Sequence, residues 1–226
     1  MIKIMSFNTQ HCKNFKTKRI DYKSIINLIK NNDIDIIGLN EIFSLNKNIS
    51  QSSIIAKKLN YYHFFGKATN IIFPYGNAII SKYPIESCEI INIPSPKNKT
   101  GNNHYEKRSI LKAKVLINNK YLNIYITHLG LNIDEQVNGI NTLVNNVEKD
   151  NSIIMGDFNM TPDNKLLKSL NNFSNTNIDK MTYPSDNPIK KLDYIYVSKN
   201  IKIHSFNVLN DIISDHRPIM AKIDIK

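Results

Sequence analysis

The stretch Ser152-Ile153-Ile154-Met155-Gly156-Asp157-Phe158-Asn159 joins an apolar run to two polar side chains. The run from Ser152 to Met155 predicts a buried strand, and Gly156 lets the end of that strand turn tightly and brings its backbone close to a ligand. Asp157 and Asn159 are two residues apart, so both can project to the same side of an extended turn. An Asx-turn would use the same residues, but their position directly after a buried strand favours a functional site.

The two polar side chains of this stretch offer complementary chemistry. A carboxylate such as Asp157 can accept a proton from an attacking water, while the Asn159 amide can donate a hydrogen bond to a phosphoryl oxygen. Similar polar elements beside apolar runs recur along the chain at Phe7-Asn8, Asn40-Glu41, Thr127-His128-Leu129, Leu192-Asp193-Tyr194 and Ser214-Asp215-His216. Because a packed sheet can aim such strand-end side chains at one point, the set predicts a metal-dependent hydrolytic site.

Glu41 follows the apolar run from Ile34 to Leu39 almost directly. A carboxylate in this position must be solvated at the edge of the sheet, paired with a cationic side chain, or bound to a metal ion. Magnesium takes hard oxygen ligands, usually one or two carboxylates with water and substrate phosphate completing the shell. Glu41 fits that role, whereas Asn8 taken alone would also suit a simple turn.

The segment Ser214-Asp215-His216 adds a carboxylate and an imidazole. Asp215 can ligate or position a metal, and His216 can contact the phosphate. Asp193 is a natural carboxylate partner that would fix the tautomer of His216 and keep it protonated. His128 ends a predicted strand and suits either a structural role or a second phosphate-binding or acid/base role, and His11 is of interest because it follows Asn8 closely.

Helical and strand patterns alternate along the chain without a linker or low-complexity tract. The spacing of Tyr22, Ile25, Ile26 and Ile29 predicts a helix capped by Asp21. Further helices are expected at 52–59, at 137–147, and from Thr161-Pro162-Asp163 onward. Strands are expected near 2–8, 34–39, 61–65, 77–81, 88–93, 109–117, 121–128, 152–155, 193–197, 201–208 and 217–225. We therefore expect residues 1–226 to form one domain with two halves.

The composition narrows the class of protein without fixing its ligand. The chain of 226 residues carries a net charge of +11, and among its 30 basic residues only Arg19, Arg108 and Arg217 are arginine. Specific readers of nucleic acid favour arginine, and an A/T-rich coding sequence would also produce many lysines, so the charge suits any anionic substrate, including a phospholipid head group. Cys12 and Cys88 lack metal-ligand spacing. No signal peptide or membrane-length apolar run is evident, which favours a reduced, cytoplasmic protein.

Together these motifs resemble those of the endonuclease/exonuclease/phosphatase superfamily. The resemblance adds Gly76-Asn77-Ala78 and Arg217-Pro218 to the motifs quoted above, follows the family's order, and spans residues 4–220. It implies an α/β fold: a four-layer α-β-β-α sandwich in which two mostly antiparallel β-sheets pack together and helices flank them. It also implies hydrolysis of a phosphoester with Mg²⁺ or Mn²⁺, with small bacterial members the most similar.

The resemblance also implies a role for each matching residue. Glu41 looks like the main metal ligand, helped by Asn8 and Asp215. Asp157 resembles the residue that positions or deprotonates the water. Phosphate contact and charge stabilisation would come from Asn159, from His216 oriented by Asp193, and from His128; the substrate would also meet Asn77 at the rim and Arg108 at a strand start.

Three functions remain open at this point. The first is a monomeric, Mg²⁺-dependent hydrolase of phosphodiester or phosphomonoester bonds, with in-line attack of water at phosphorus. The second is a nuclease with a repair role, although the chain has no tryptophan and no evident basic insertions or aromatic wedge with which to bend DNA. The third is a catalytically silent module that binds nucleic acid or phospholipid, which would be expected to lack part of the constellation.

Overall fold

Two six-stranded sheets form the centre of the protein. The computed structural model describes residues 1–46, 48–175 and 180–225. The strands in chain order are β1 (Ile2–Asn8), β2 (Ile36–Phe43), β3 (Tyr62–Asn70), β4 (Pro74–Ser81), β5 (Ile85–Asn92), β6 (Ser109–Ile117), β7 (Lys120–His128), β8 (Ser152–Asp157), β9 (Phe173–Asn175), β10 (Asp193–Ser198), β11 (Ile201–Val208) and β12 (Ile219–Ile225). The helices are α1 (Tyr22–Asn31), α2 (Gln51–Leu59) and α3 (Ile133–Asn146), with a 3₁₀ helix over Lys165–Leu170.

Each sheet has one parallel pair near its centre, and its other pairs are antiparallel. The first sheet has the order β11-β12-β1-β2-β4-β3, and the second has the order β5-β6-β7-β8-β10-β9. The parallel pairs are β1 with β2 and β7 with β8. Since a parallel pair needs a crossover connection, a helix joins each: α1 follows β1, and α3 follows β7. The expectation of two mostly antiparallel sheets is confirmed.

Alternate residues of each central strand face either the other sheet or the helices, and this defines the layers of the protein. Ile4, Leu111 and Met155 belong to a cluster between the two sheets. Their neighbours Met5 and Ile154 face the opposite way, toward α1 and α2 on the first sheet and toward α3 on the second. Because helices cover the outer faces, the central strands are buried on both sides and read as continuous apolar runs. This arrangement confirms the α-β-β-α sandwich.

The observed elements differ from the predicted ones mainly at their ends. Asp21 caps α1 as predicted, its side chain accepting a hydrogen bond from the Ser24 N–H. The short helix predicted from Thr161-Pro162-Asp163 is instead a 3₁₀ helix that begins at Lys165, because Asn164 accepts a hydrogen bond from the Leu166 N–H and acts as its cap. The short strand β9 is not evident from the sequence pattern. In the part of the chain that the structure describes, none of the helices has the length and hydropathy of a membrane span.

Candidate active site

Strand register brings the predicted polar side chains to one end of the sandwich. In the first sheet Asn8 pairs with Asn40 at the carboxyl ends of two parallel strands. In the second sheet Asp157 pairs with His128 on one side and with Asp193 on the other. Because the two sheets pack face to face with these ends together, Asn8 Nδ2 lies 3.0 Å from Asp157 Oδ2, across 149 residues of sequence.

Glu41 reaches this site through a distortion of strand β2. The pairing of β2 with β4 shifts register between Leu39 and Ile42, and Glu41 lies in this bulge with a left-handed φ of 58°. A bulge bends its strand and redirects a side chain, and left-handed backbone costs a non-glycine residue free energy that is commonly accepted at functional sites. The Glu41 carboxylate accepts a hydrogen bond from Asn8 Nδ2 at 3.1 Å.

The surroundings of Glu41 disfavour its charge. The pKa of this carboxyl is raised to about 7: burial is the largest cause, the nearby carboxylates of Asp215 and Asp157 add to the rise, and the hydrogen bond from Asn8 opposes it. His11 Nε2 is 3.6 Å from Glu41 Oε2, but burial lowers the pKa of His11, so this ring is neutral near pH 7. A cation bound beside Glu41 would therefore relieve charge repulsion.

Asp157 lies at the centre of the candidate site and is 1% exposed. Its Oδ1 accepts a hydrogen bond from the Asn159 N–H at 2.9 Å. The other oxygen, Oδ2, is bonded to Asn8 and lies 3.5 Å from Nε2 of both His128 and His216. Burial raises the pKa of Asp157, and the charge of His216 opposes that rise. This carboxylate is held by amides and imidazoles from four different strands or loops.

His216 is a buried imidazolium held by two carboxylates. Its Nδ1 is 2.8 Å from Asp193 Oδ2. Although burial disfavours the charge, Asp193 and Asp157 raise the pKa of His216 to about 10. The ligand atoms of these three residues lie within 4.8 Å of one another and could hold a metal ion. A protonated ring has no lone pair for a metal, so we interpret the triad as an ion-paired cluster.

His128 presents the opposite case of a neutral histidine. Arg108 Nη1 lies 2.7 Å from His128 Nδ1, and a guanidinium can only donate, so Nδ1 accepts and the ring hydrogen lies on Nε2. Burial and the charge of Arg108 lower the pKa of His128 well below its usual value. Arg108 is itself paired with Glu106 at 2.7 Å. The His128 Nε2–H therefore faces Asp157 Oδ2.

Asn159 and Asp215 also reach the site. Asn159 has a left-handed φ of 51°, and its Nδ2 donates to the Leu129 carbonyl at 2.9 Å. Asp215 Oδ1 accepts a hydrogen bond from Ser214 Oγ, and its Oδ2 accepts one from Gln10 Nε2 at 3.1 Å. Both residues line an open cleft of about 540 Å³. The other predicted residues that line this cleft are Glu41, Arg108, His128, Asp157 and His216.

Asn77 does not occupy the predicted rim position. It is 2% exposed. Its Oδ1 accepts a hydrogen bond from Asn40 Nδ2 at 2.8 Å, and its Nδ2 donates to the Ser109 carbonyl at 3.0 Å. The first bond joins β4 to β2 within the first sheet, and the second joins β4 to β6 of the second sheet. The substrate-binding expectation for Asn77 is corrected to a structural one, because its amide is used in tying the two sheets together.

Three further residues lie beside the site although the sequence patterns assign them no role in it: Gln10, His11 and Tyr75. Gln10, His11 and Cys12 are consecutive left-handed residues with φ of 46°, 58° and 58°. This turn lets Gln10 reach Asp215 and stacks the His11 ring on Phe43, with centroids 4.2 Å apart. The polar run directly after Asn8 was the available signal. Tyr75, whose hydroxyl is 3.4 Å from His128 Nδ1, gave no such signal.

Gly156 offers a test of how tightly this end of the sandwich is built. Its φ is 146°, and a Cβ at this position would lie 1.8 Å from the Thr127 carbonyl oxygen on β7. We expect Gly156→Ala to lower the free energy of unfolding by about 2–4 kcal/mol, since both the backbone conformation and the strand pairing must change. Urea denaturation would measure this change.

Gly139→Ala on α3 is the matched control for this substitution. There the added Cβ would meet only the end of the flexible Leu129 side chain, and alanine favours a helix. We expect its effect to stay within about 1 kcal/mol. Equal destabilisation by the two variants would show that the Gly156 turn is not specially constrained.

Comparison with known proteins adds a family match by sequence and a set of similar folds. A sequence model of the endonuclease/exonuclease/phosphatase family matches residues 5–216. A protein of that family from Leptotrichia buccalis C-1013-b has a TM-score of 0.80 at 20% identity, with 100% of both chains covered. Another from Bacteroides thetaiotaomicron has a TM-score of 0.82 at 14% identity, covering 100% of this chain and 98% of the other.

A third similar structure is a mannosyl-6-phosphatase from Bacteroides thetaiotaomicron VPI-5482. Its TM-score is 0.77 at 15% identity, and the match covers 100% of both chains. At such identities the likeness to solved structures shows a shared fold. No curated protein matches the sequence at a significant level.

Proposed function

The chain belongs to the endonuclease/exonuclease/phosphatase family, whose members hydrolyse phosphoester bonds, and on this premise we propose that it is a Mg²⁺- or Mn²⁺-dependent phosphodiesterase. The observation that carries the proposal is the position of Asp157. This buried carboxylate lies between the amide of Asn8 and the imidazoles of His128 and His216. A group so placed can remove a proton from water while its neighbours meet the phosphate.

The chemistry of the site fits a divalent cation. Four carboxylates meet here, those of Glu41, Asp157, Asp193 and Asp215, and their buried cationic partner is His216. Arg108, which also lines the cleft, is already paired with Glu106, and Lys190, the other cation among the lining residues, is exposed to solvent. A site in which buried carboxylates outnumber buried cationic side chains offers the oxygen ligands that hard cations such as Mg²⁺ prefer. We assign the binding of this cation to Glu41, with Asn8 and Asp215 as further ligands.

The bound cation would polarise a phosphoryl oxygen and neutralise charge that develops on it. Asp157 would accept a proton from the attacking water, because its raised pKa makes it a better base than an ordinary carboxylate. The water oxygen bonds to phosphorus, the bond to the leaving oxygen breaks, and that oxygen takes a proton from water in the open cleft. Asn8, hydrogen-bonded to both Glu41 and Asp157, fixes the spacing of base and cation ligand.

Two donors of different charge would meet the phosphoryl oxygens. His216 brings a positive charge that Asp193 orients, so its interaction strengthens as negative charge develops. His128 offers a neutral N–H whose direction Arg108 fixes through the other ring nitrogen. The second amide hydrogen of Asn159 can serve the same purpose, since Leu129 uses one of the two. These donors are in place before substrate arrives.

Hydrolysis of bis-p-nitrophenyl phosphate tests the proposal directly. We expect turnover with Mg²⁺ or Mn²⁺, loss of turnover with EDTA, and recovery when the metal is restored. p-Nitrophenyl phosphate in the same assay distinguishes diester from monoester hydrolysis. Absence of turnover with either metal on both substrates would contradict the enzymatic function.

Metal binding should also stabilise the folded protein without any substrate. A ligand that binds only the folded state at about 100 times its dissociation constant adds about 2.7 kcal/mol. For a chain of this size that corresponds to a rise in Tm of about 5–10 °C. Differential scanning calorimetry with EDTA and then with excess Mg²⁺ would measure it. A Tm unchanged by Mg²⁺ and Mn²⁺ would contradict a site for either ion.

A further inference from the structure

The hairpin between β3 and β4 ends in three consecutive exposed hydrophobic side chains. Ile71, Ile72 and Phe73 are 53%, 83% and 44% exposed. Leu45 and Ile49, in the loop after β2, are each 43% exposed. We call these five residues the apolar lip. Exposed apolar side chains are ordinary when scattered singly, but a group of them marks a surface that another apolar phase covers.

The two segments of the apolar lip are fixed beside each other. The Ser44 N–H donates to the Pro74 carbonyl at 2.8 Å, which joins the loop after β2 to the start of β4. Within the segments, the Leu45 N–H donates to the Ile49 carbonyl at 2.7 Å and the Ile71 N–H to the Phe73 carbonyl at 3.1 Å. These bonds satisfy backbone groups locally and leave the aliphatic side chains directed outward.

The apolar lip lies at the same end of the sandwich as the candidate active site. Phe73 contacts Phe43, with ring centroids 6.1 Å apart, and Phe43 stacks on His11 at 4.2 Å. His11 in turn lies 3.6 Å from the Glu41 carboxylate. A continuous row of side chains therefore joins the lip to the cleft. A surface that covered the lip would also face the mouth of the cleft.

A loop with exposed basic side chains lies at the same end of the sandwich as the apolar lip. The loop 9–21 begins at the site end of β1 and holds His11 against Phe43. It carries Lys13, Lys16, Lys18 and Arg19, all exposed, against a single acid, Asp21. The Asp21 carboxylate is engaged in capping α1. Exposed aliphatic side chains and a basic loop at one end of the molecule complement an anionic phospholipid surface, which offers both an acyl boundary and negative charge.

We propose that the apolar lip docks this protein on an anionic phospholipid membrane, and that its phosphoester substrate is a head group in that membrane. The docking is inferred from the surface alone, whereas the identity of the substrate rests on the proposed hydrolase function. The reaction remains the same hydrolysis: water adds to phosphorus, a phosphorus–oxygen bond breaks, and the leaving oxygen is protonated. The lip would place that bond at the cleft.

Nucleic acid fits this surface less well. Proteins that bind single strands hold the bases on aromatic rings, and isoleucine has no π-face to offer. Four of the five lip residues, Leu45, Ile49, Ile71 and Ile72, are aliphatic. Aliphatic side chains gain free energy by leaving water for hydrocarbon, in proportion to the area that they bury.

Vesicle co-sedimentation tests the docking without requiring catalysis. The 226-residue protein would be titrated with vesicles of phosphatidylserine and phosphatidylcholine, and with phosphatidylcholine alone. We expect binding to the anionic vesicles that weakens several-fold as salt rises. The double variant Ile71→Ser/Ile72→Ser should bind at least tenfold more weakly. Val144→Ser, at an exposed aliphatic position on α3, should bind like the wild type.

The claim that the substrate is a phospholipid head group is tested with two substrates under the same conditions. The double variant should keep wild-type turnover of soluble bis-p-nitrophenyl phosphate and lose at least tenfold in hydrolysis of phospholipid presented in vesicles. Vesicle binding without hydrolysis of any diester would sustain the docking and overturn the enzymatic function. Hydrolysis of the soluble diester with no vesicle binding, or equal binding by wild type and double variant, would overturn the docking.

Two other occupants of the lip give distinct results. If a second copy of the chain covered it, light scattering would show a dimer that Ile71→Ser/Ile72→Ser converts to a monomer. If nucleic acid covered it, the double variant would lose retention of DNA or RNA in a mobility-shift assay. Either result would overturn the membrane proposal.

Discussion

Asp157→Asn should abolish nearly all turnover while the protein stays folded. We expect kcat on bis-p-nitrophenyl phosphate to fall by about 10²–10⁴-fold, the range associated with loss of a positioned acid/base group. Asparagine has almost the same shape, and its Oδ1 can still accept the Asn159 N–H that Asp157 accepts at 2.9 Å. What it lacks is the basic oxygen that faces Asn8, His128 and His216.

The split between kcat and KM identifies the cause of the loss. A base acts on water in the transition state, so its removal should lower kcat and leave KM within a few-fold of the wild type. Loss of the carboxylate also removes one of the three charges that raise the pKa of His216, but Asp193 and Asp215 remain, and Asp193 stays bonded to that ring at 2.8 Å. His216 should therefore keep its orientation and most of its capacity to bind phosphate.

Asp163→Asn is the matched control for this experiment. Asp163 is exposed, lies six positions farther along the chain in the loop after β8, and is bonded to Thr161. The same change of carboxylate to amide there should leave kcat unchanged. If Asp157→Asn kept more than a tenth of wild-type turnover, with circular dichroism unchanged, Asp157 would not be the base.

The fold could be predicted from the sequence because its signals are local and repeated. Apolar runs such as Ile153-Ile154-Met155 identify buried strands, and the spacing of Ile25 and Ile29 identifies the face of α1. Both faces of each central strand are buried in the sandwich, so similar apolar runs recur along most of the chain. The short 3₁₀ helix was misplaced because its cap, Asn164, depends on a single side-chain bond.

The candidate site was predictable in its residues and less so in their arrangement. Polar side chains at strand ends could be listed from the sequence, but the bulge that directs Glu41 depends on the pairing of β2 with β4. The inward position of Asn77 likewise depends on Asn40 and Ser109, which lie far from it in sequence. Hydrogen bonds of that kind are properties of the packed sheets and leave no local pattern.

Glu41→Gln should have opposite effects on activity and on stability. With Mg²⁺ present we expect kcat to fall by at least about 10²-fold, because a charged ligand of the cation is replaced by a neutral amide. Without metal, the same variant should be more stable than the wild type at pH 8. A binding site assembled from mutually repelling carboxylates predicts both results.

The pH dependence gives the sign of the stability effect. Burial first, and then Asp215 and Asp157, raise the folded-state pKa of Glu41 to about 7 from an ordinary value of 4.5. A carboxyl whose pKa is raised by folding favours the folded state while it is protonated, and this contribution is lost as pH rises through the folded pKa. At pH 8 the metal-free wild type therefore carries a penalty of up to about 3 kcal/mol, and at pH 4.5 little of it remains.

Urea denaturation in EDTA at several pH values between 4.5 and 8 would measure this difference. The gain in unfolding free energy of Glu41→Gln over the wild type should grow as pH rises and level off above about pH 8. Saturating Mg²⁺ should reverse the order, because only the wild type gains the full free energy of binding.

The opposite stability result would assign a different role to the Glu41 carboxylate. If Glu41→Gln were less stable than the wild type in EDTA at pH 8, the Glu41 carboxylate would contribute favourable bonds that outweigh its burial, with Asn8 Nδ2 at 3.1 Å as the available donor. The carboxylate would then be part of a satisfied structural network. In that case the cation would have to be held by other oxygen ligands of the cleft, and Mg²⁺ would stabilise the variant as much as the wild type.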